Sequence, residues 1–215
     1  MRPRLAPHGD AGIVIRYGAR LQPGLDRVVR HHASVLEAGK LAGVIELVPG
    51  YVSLTVHFDP AQTSFEELRD RILPLLTLAP PTPTERVGRT VVIPVQYDGM
   101  DLDEVARAAG ITVAEVIDRH TAPEYQVALL GFVPGFAYLE PLDPCLVLPR
   151  RATPRSRVPA GSVAIAGAQT GVYPAETPGG WLIIGTTSLR LFDPDRQPPA
   201  LLTVGDRVRF EASGG

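Results

Sequence analysis

Beyond residue 124 this chain sustains neither a long helix nor a long strand, because glycine or proline interrupts every apolar stretch within a few residues. The pieces that remain, at residues 125–130, 146–148, 162–166, 181–184, 189–192 and 208–210, are short and separated by turn signals. Such spacing predicts a closed or nearly closed antiparallel β-barrel. Val204-Gly205-Asp206 reads as a hairpin turn near its end.

Upstream the pattern alternates between strand and helix. Residues 11–17 contain the β-branched run Ile13, Val14 and Ile15, and Leu25, Val28, Val29, His32 and Leu36 then fall at helical spacing. A strand pair follows at residues 44–47 and 52–58, with Pro49-Gly50 as its turn. Thr63 or Ser64 precedes Glu66 and Glu67 at capping-box spacing, and Phe65, Leu68, Ile72 and Leu75 share one face of a helix that Pro74 bends or ends. These elements predict a small N-terminal α/β sandwich of ferredoxin-like layout over residues 1–80. Pro80, Pro81 and Pro83, set among threonines, predict an extended linker at residues 81–89. A second domain, residues 90–215, opens with a strand at 90–97 and two helices before the barrel pieces begin. Asp101 with Glu104 is expected to cap the first helix, Gly110 to end it, and Thr112 with Glu115 to cap the second. The fold class is therefore α+β.

Composition closes several doors. With 21 basic residues against 23 acidic ones, the chain lacks the positive field that nucleic-acid binding requires. Its apolar runs fall well short of the roughly 20 residues of a membrane helix. Arg2, Arg4, His8 and Asp10 leave no apolar core for a secretory signal, so cytoplasmic residence is expected. Cys145, the only cysteine, makes neither an internal disulfide nor a metal cluster, and it reads as a small core residue at the start of a strand. No phosphate-binding glycine loop, nucleophile elbow, zinc helix or Cys-x-x-Cys pair is present. The single lysine, Lys40, lies in Gly39-Lys40-Leu41 without the methionine flanks of a biotin attachment site, so no biotin is expected on the chain.

The residues able to do small-molecule chemistry lie almost entirely between 124 and 181. His120, just upstream, follows Val113, Val116 and Ile117 along one helical face and is expected to be buried. A buried histidine serves either as a general base or as a satisfied core residue, and His32 holds the same helical position where no site is evident. Glu124 is placed to orient the His120 ring or to sit solvated at a strand start. In Gly131-Phe132-Val133-Pro134-Gly135-Phe136-Ala137-Tyr138 the glycines let backbone approach a ligand, while Phe132, Phe136 and Tyr138 are candidate pocket walls; a bulge or hairpin is the alternative. Arg150, Arg151, Arg155 and Arg157 suit an anion, or else a solvated or salt-bridged loop that Pro149, Pro154 and Pro159 stiffen. Gln169, Thr170 and Tyr173, with Trp181 after a Gly179-Gly180 turn, add neutral hydrogen-bonding groups on glycine-bounded turns.

At these residues the chain resembles the KipI family, which comprises the B subunits of 5-oxoprolinase and is also called allophanate hydrolase subunit 1. The matching text is His120-Thr-Ala-Pro-Glu124-Tyr125, Gly131 to Leu139, Pro149 to Arg155, and the long block from Val158 to Pro174 that leads to Pro178-Gly-Gly-Trp181. The resemblance implies an N-terminal α/β domain and a C-terminal cyclophilin-like β-barrel. It further implies a KipA-like partner, equivalent to the 5-oxoprolinase C subunit, and a lactam-utilisation protein equivalent to the A subunit. An anionic amide substrate, and ATP at a site shared with the KipA-like partner, are implied as well. His120 and Glu124 become the expected acid/base or orienting pair. Substrate contacts are expected from Phe132, Pro134, Phe136, Tyr138, Arg150, Arg151, Arg155, Gln169, Thr170, Tyr173 and Trp181. Two other roles fit the resemblance: inhibition of a sensor histidine kinase, and a carboxyltransferase-like action on urea-type amides with biotin on a separate carrier. One departure stands out, since Gly185-Thr186-Thr187 occupies a place where the family commonly has a basic residue after the glycine.

Overall fold

The computed structural model describes residues 3–19, 25–77 and 88–213. Contacts divide the chain into two compact units, Met1–Thr84 and Glu85–Gly215. Pro80, Pro81 and Pro83, which carry the linker expectation, lie outside the described residues.

In the first unit the alternation of side chains builds the sheet. Ile13 and Ile15 of β2 (Gly12–Arg16) and Leu54, Val56 and Phe58 of β4 (Ser53–Phe58) all point to the core, as every second strand residue must. Helices α1 (Leu25–Ala38) and α2 (Phe65–Leu75) cover that face with Val29, Leu36, Leu68 and Ile72. Ser64, not Thr63, caps α2, and Glu67 completes the capping box; Pro74 lies inside the last turn without ending the helix. Strand β3 (Val44–Pro49) pairs with β4, giving the all-antiparallel order β1-β2-β4-β3. The strand beside β2 is β1 (Arg4–Pro7), a piece too short and too mixed to stand out in the sequence. The edge strand thus arrives from the N-terminus and not from a segment after α2, which sets this sheet apart from the ferredoxin-like chain order.

The second unit is a nearly closed barrel. Its strands are β5 (Thr90–Val95), β6 (Tyr125–Leu130), β7 (Ala137–Glu140), β9 (Ser162–Ala166), β10 (Gln169–Val172), β12 (Leu182–Thr186) and β13 (Arg207–Ala212). They form one sheet in the order β12-β9-β10-β7-β6-β13-β5. A separate two-stranded ribbon joins β8 (Arg155–Val158) to β11 (Thr177–Gly179). The barrel seam is a single bridge between β5 and β12, where Gln96 and Thr186 exchange backbone hydrogen bonds of 2.8 and 2.7 Å. The sheet is not purely antiparallel, for β13 runs parallel to β5. These strands enclose the whole domain between them in sequence, so no hairpin imposes an antiparallel approach.

Between β5 and β6, helix α3 (Leu102–Ala109) packs on β12 and α4 (Val113–Thr121) packs on β13. Thr112 and Glu115 form the expected capping box on α4, and Gly110 ends α3 in the left-handed conformation. Several sequence expectations fail here: Asp101 makes no side-chain cap on α3, and residues 146–148 form no strand, for Leu146 lies in a 3-10 turn and Leu148 makes only an isolated bridge to Gly167. Residues 189–192 form no strand beyond an isolated bridge from Phe192 to Ala200, and Cys145 sits in a half-buried 3-10 turn, Pro144–Leu146, not a strand. Among the described residues no helix is long and apolar enough to cross a membrane, and no cluster of His, Cys, Asp and Glu is placed to hold a metal ion.

The seam closes over a missing side chain. A Cβ on Gly185 would lie 2.5 Å from the Gln96 carbonyl oxygen and 2.8 Å from a Val95 methyl. Gly185→Ala is therefore expected to pry β12 from β5 and to cost about 1–3 kcal/mol. Urea unfolding followed through Trp181, the single tryptophan, checks this.

Candidate functional site

Asp101 organises one side of the barrel. It precedes α3 but makes no side-chain cap hydrogen bond. Instead its buried carboxylate accepts from the Ile183 N–H at 2.7 Å, from Arg155 at 2.6 Å and from Arg151 at 3.2 Å. Arg151 also reaches the exposed Glu104 at 3.4 Å, and its backbone N–H donates to the Gly180 carbonyl at 2.8 Å. The carboxylate thus ties the start of α3 to β12, to the loop before β8 and to β8 itself. Substrate contacts were expected of Arg151 and Arg155; both guanidiniums pair with this carboxylate, since a buried charge without a partner is costly, while Nε of Arg151 and Nη1 of Arg155 are buried without a hydrogen-bond partner. Arg157 pairs bidentately with exposed Glu176, at 3.0 and 2.9 Å, across the β8–β11 ribbon.

Arg150 alone of the four turns toward an open pocket. The pocket measures about 240 Å³ and is walled by Phe132, Phe136, Tyr138, Tyr173 and Trp181 with Pro154 and the Pro178–Gly180 turn. Phe136 meets Tyr138, Tyr173 and Trp181 edge-on at centroid distances of 4.9, 5.4 and 5.4 Å, an arrangement aromatic quadrupoles favour. The Arg150 guanidinium lies 5.8 Å over the Trp181 ring. Phe132 stands at the rim, 58% exposed, on a backbone with φ of 72°, a conformation that L residues other than Asn and Asp rarely adopt. Strain of this kind concentrates at ligand clamps.

His120 takes no part in the pocket. Its fully buried ring lies 4.5 Å from Phe210, with Nδ1 2.7 Å from the Tyr97 hydroxyl and Nε2 2.8 Å from the Thr170 hydroxyl. Because Thr170 donates its own proton to the Ala164 carbonyl at 3.0 Å, it must accept from Nε2–H. The ring is then the Nε2–H tautomer, and Nδ1 accepts from Tyr97. Burial pushes the His120 pKa down to about 3. Glu124 is exposed and pairs with Arg207 at 3.1 Å, so the expected His120–Glu124 pair does not form. Proximity in sequence had suggested it, but the ring points inward while the carboxylate faces solvent.

The pocket therefore brings together Phe132, Phe136, Tyr138, Arg150, Tyr173 and Trp181 from the expected set. Thr170 is spent in the buried chain, Gln169 lies on β10 opposite Ala166, and exposed Pro134 is not among the lining residues. Thr186, at the commonly basic place, donates to Asp98 at 2.9 Å beside the seam. Sequence reasoning missed Asp101, which looked like an ordinary helix cap, and missed Pro154 and Pro178 as wall residues. The arginine run signalled that a carboxylate must balance it without saying which.

Fold and site together define a barrel domain with an aromatic pocket capped by one arginine. The chain belongs to the family described as carboxyltransferase domain, subdomain C and D, whose profile matches residues 3–202. It is 41% identical over 224 residues to the 5-oxoprolinase B subunit of Bacillus subtilis (strain 168), covering 98% of this chain and 92% of that protein. The crystal structure of TTHA0988 superposes with a TM-score of 0.82 at 40% identity over 95% of this chain, which spans 40% of that longer one. The K. lactis urea amidolyase gives a TM-score of 0.80 at 20% identity over 98% of this chain and 15% of that one, a likeness of fold alone.

The His120 geometry makes stability depend on pH. The unfolded chain takes up the imidazole proton near 6.5 and the folded one only near 3, so this contribution is complete above 6.5 and lost as pH falls through that window. Between about pH 7.5 and about pH 5 the wild type should lose about 2 kcal/mol more stability than His120→Gln. Urea unfolding at the two pH values measures the difference.

Proposed function

We propose that this chain is the B subunit of a 5-oxoprolinase-type hydrolase, an enzyme that opens a cyclic amide at the expense of ATP. The observation that carries the reading is the single guanidinium of Arg150 over Trp181 in a pocket otherwise walled by rings and prolines. One cation suits one carboxylate, and flat apolar walls suit a flat ring. The relatives' name, which makes them one lettered component of 5-oxoprolinase, supports an assembly with further components. A KipA-like protein in the place of the C subunit, and a lactam-utilisation protein in the place of the A subunit, are the proposed members.

The pocket offers a triphosphate's charge a single arginine, which favours an ATP site shared with the KipA-like partner over one built by this chain alone. A second reading, carboxyl transfer to a urea-type amide, draws on the family's description as a carboxyltransferase domain. It needs biotin on a separate carrier, since Lys40, the single lysine, lacks the methionine flanks of a biotin attachment site.

Coexpression with the two proposed partners should give phosphate release that depends on 5-oxoproline. Arg150→Gln should raise KM for 5-oxoproline about tenfold or more, the scale of one lost charge-assisted hydrogen bond. Activity no higher than that of the partners alone would contradict the assignment.

A further inference from the structure

Tyr173 is held more tightly than a pocket wall requires. Its ring packs edge-on against Phe136 at 5.4 Å and Phe132 at 6.4 Å. On the other side it lies directly on the β11 backbone, where a Cβ on Gly179 would come within 2.3 Å of the hydroxyl oxygen. Only glycine at 179 leaves that oxygen room. The Trp181 backbone amide acts on the same oxygen and makes no claim on the phenol proton, which is left for a ligand. Arg150 and Arg155 both act on the group electrostatically, yet burial dominates and raises its pKa, so it remains a neutral donor at neutral pH. The pocket thus combines one cation, Arg150, with one fixed hydroxyl donor between ring walls.

We propose that the Tyr173 hydroxyl donates a hydrogen bond to the amide carbonyl oxygen of the ligand whose carboxylate Arg150 binds. This rests on the reading of the pocket given above and adds a second point of recognition to it. A donor fixed in advance, in a positive field, also stabilises negative charge that accumulates on that oxygen when the amide is attacked. The ligand class is a small flat monoanion carrying a neutral carbonyl, which a carbocycle of the same shape lacks.

The test pairs two ligands with two proteins. 5-Oxoproline and cyclopentanecarboxylate, which keeps the ring and carboxylate without the amide, are titrated into the full wild-type chain and into Tyr173→Phe, with Trp181 fluorescence as readout. Tyr173→Phe keeps the ring over Gly179, and an unchanged urea midpoint confirms that it folds. Affinity for 5-oxoproline should fall about tenfold in the variant, one hydrogen bond's worth, while affinity for cyclopentanecarboxylate stays the same. Equal affinity of both proteins for 5-oxoproline overturns the proposal. So does an equal loss for both ligands, which would mark a purely structural role, and so does failure of the wild-type chain to bind 5-oxoproline. The function proposed above stands or falls separately, on turnover by the assembled wild-type enzyme.

Discussion

A single buried carboxylate, that of Asp101, holds together the parts from which the pocket is built. It accepts a hydrogen bond from the β12 backbone and one each from Arg151 and Arg155. Two neighbouring guanidiniums, one in the loop before β8 and one at the start of β8, would otherwise repel each other and seek solvent, drawing the loop off the barrel. Asp101 converts that repulsion into a fixed loop geometry. Arg150, next in sequence to Arg151, then has a defined place above Trp181. Removing one partner of such a buried set leaves the others uncompensated, which is why its loss costs more than its formation gains.

A second buried polar chain crosses the barrel core. The Tyr97–His120–Thr170–Ala164 chain joins α4 to β9 and β10 through the core with no free donor in the ring. Its neutrality lets an imidazole sit where a charged one could not. The seam between β5 and β12 depends on Gly185 lacking a side chain. Rigid packing of this kind matters for recognition, because a pocket whose walls are already ordered loses less entropy when a ligand enters. Phe132 is the exception, an exposed ring on a strained backbone at the rim.

Much of this was readable from sequence, for local reasons. The Thr112–Glu115 box, the glycine stop at 110 and the alternation in β2 and β4 are decided by neighbours within a turn or a strand. The aromatic wall was readable because glycine and proline around Phe132, Phe136 and Trp181 argued against regular packing. What sequence hid depends on partners far along the chain. Asp101 has the local pattern of a cap, and only Arg155, 54 residues away, and Ile183, 82 residues away, make it a node instead. His120 and Glu124 lie close in sequence yet serve different surroundings. Short strands such as β7, β8 and β11 become strands through their partners, with little propensity of their own.

The most direct test of the Asp101 account is a double-mutant cycle of Asp101→Asn and Arg155→Gln, read as urea unfolding through Trp181. If the carboxylate holds the loop, the two changes share one interaction, and their coupling energy should reach about 2 kcal/mol or more. Effects that add to within about 0.5 kcal/mol would contradict it.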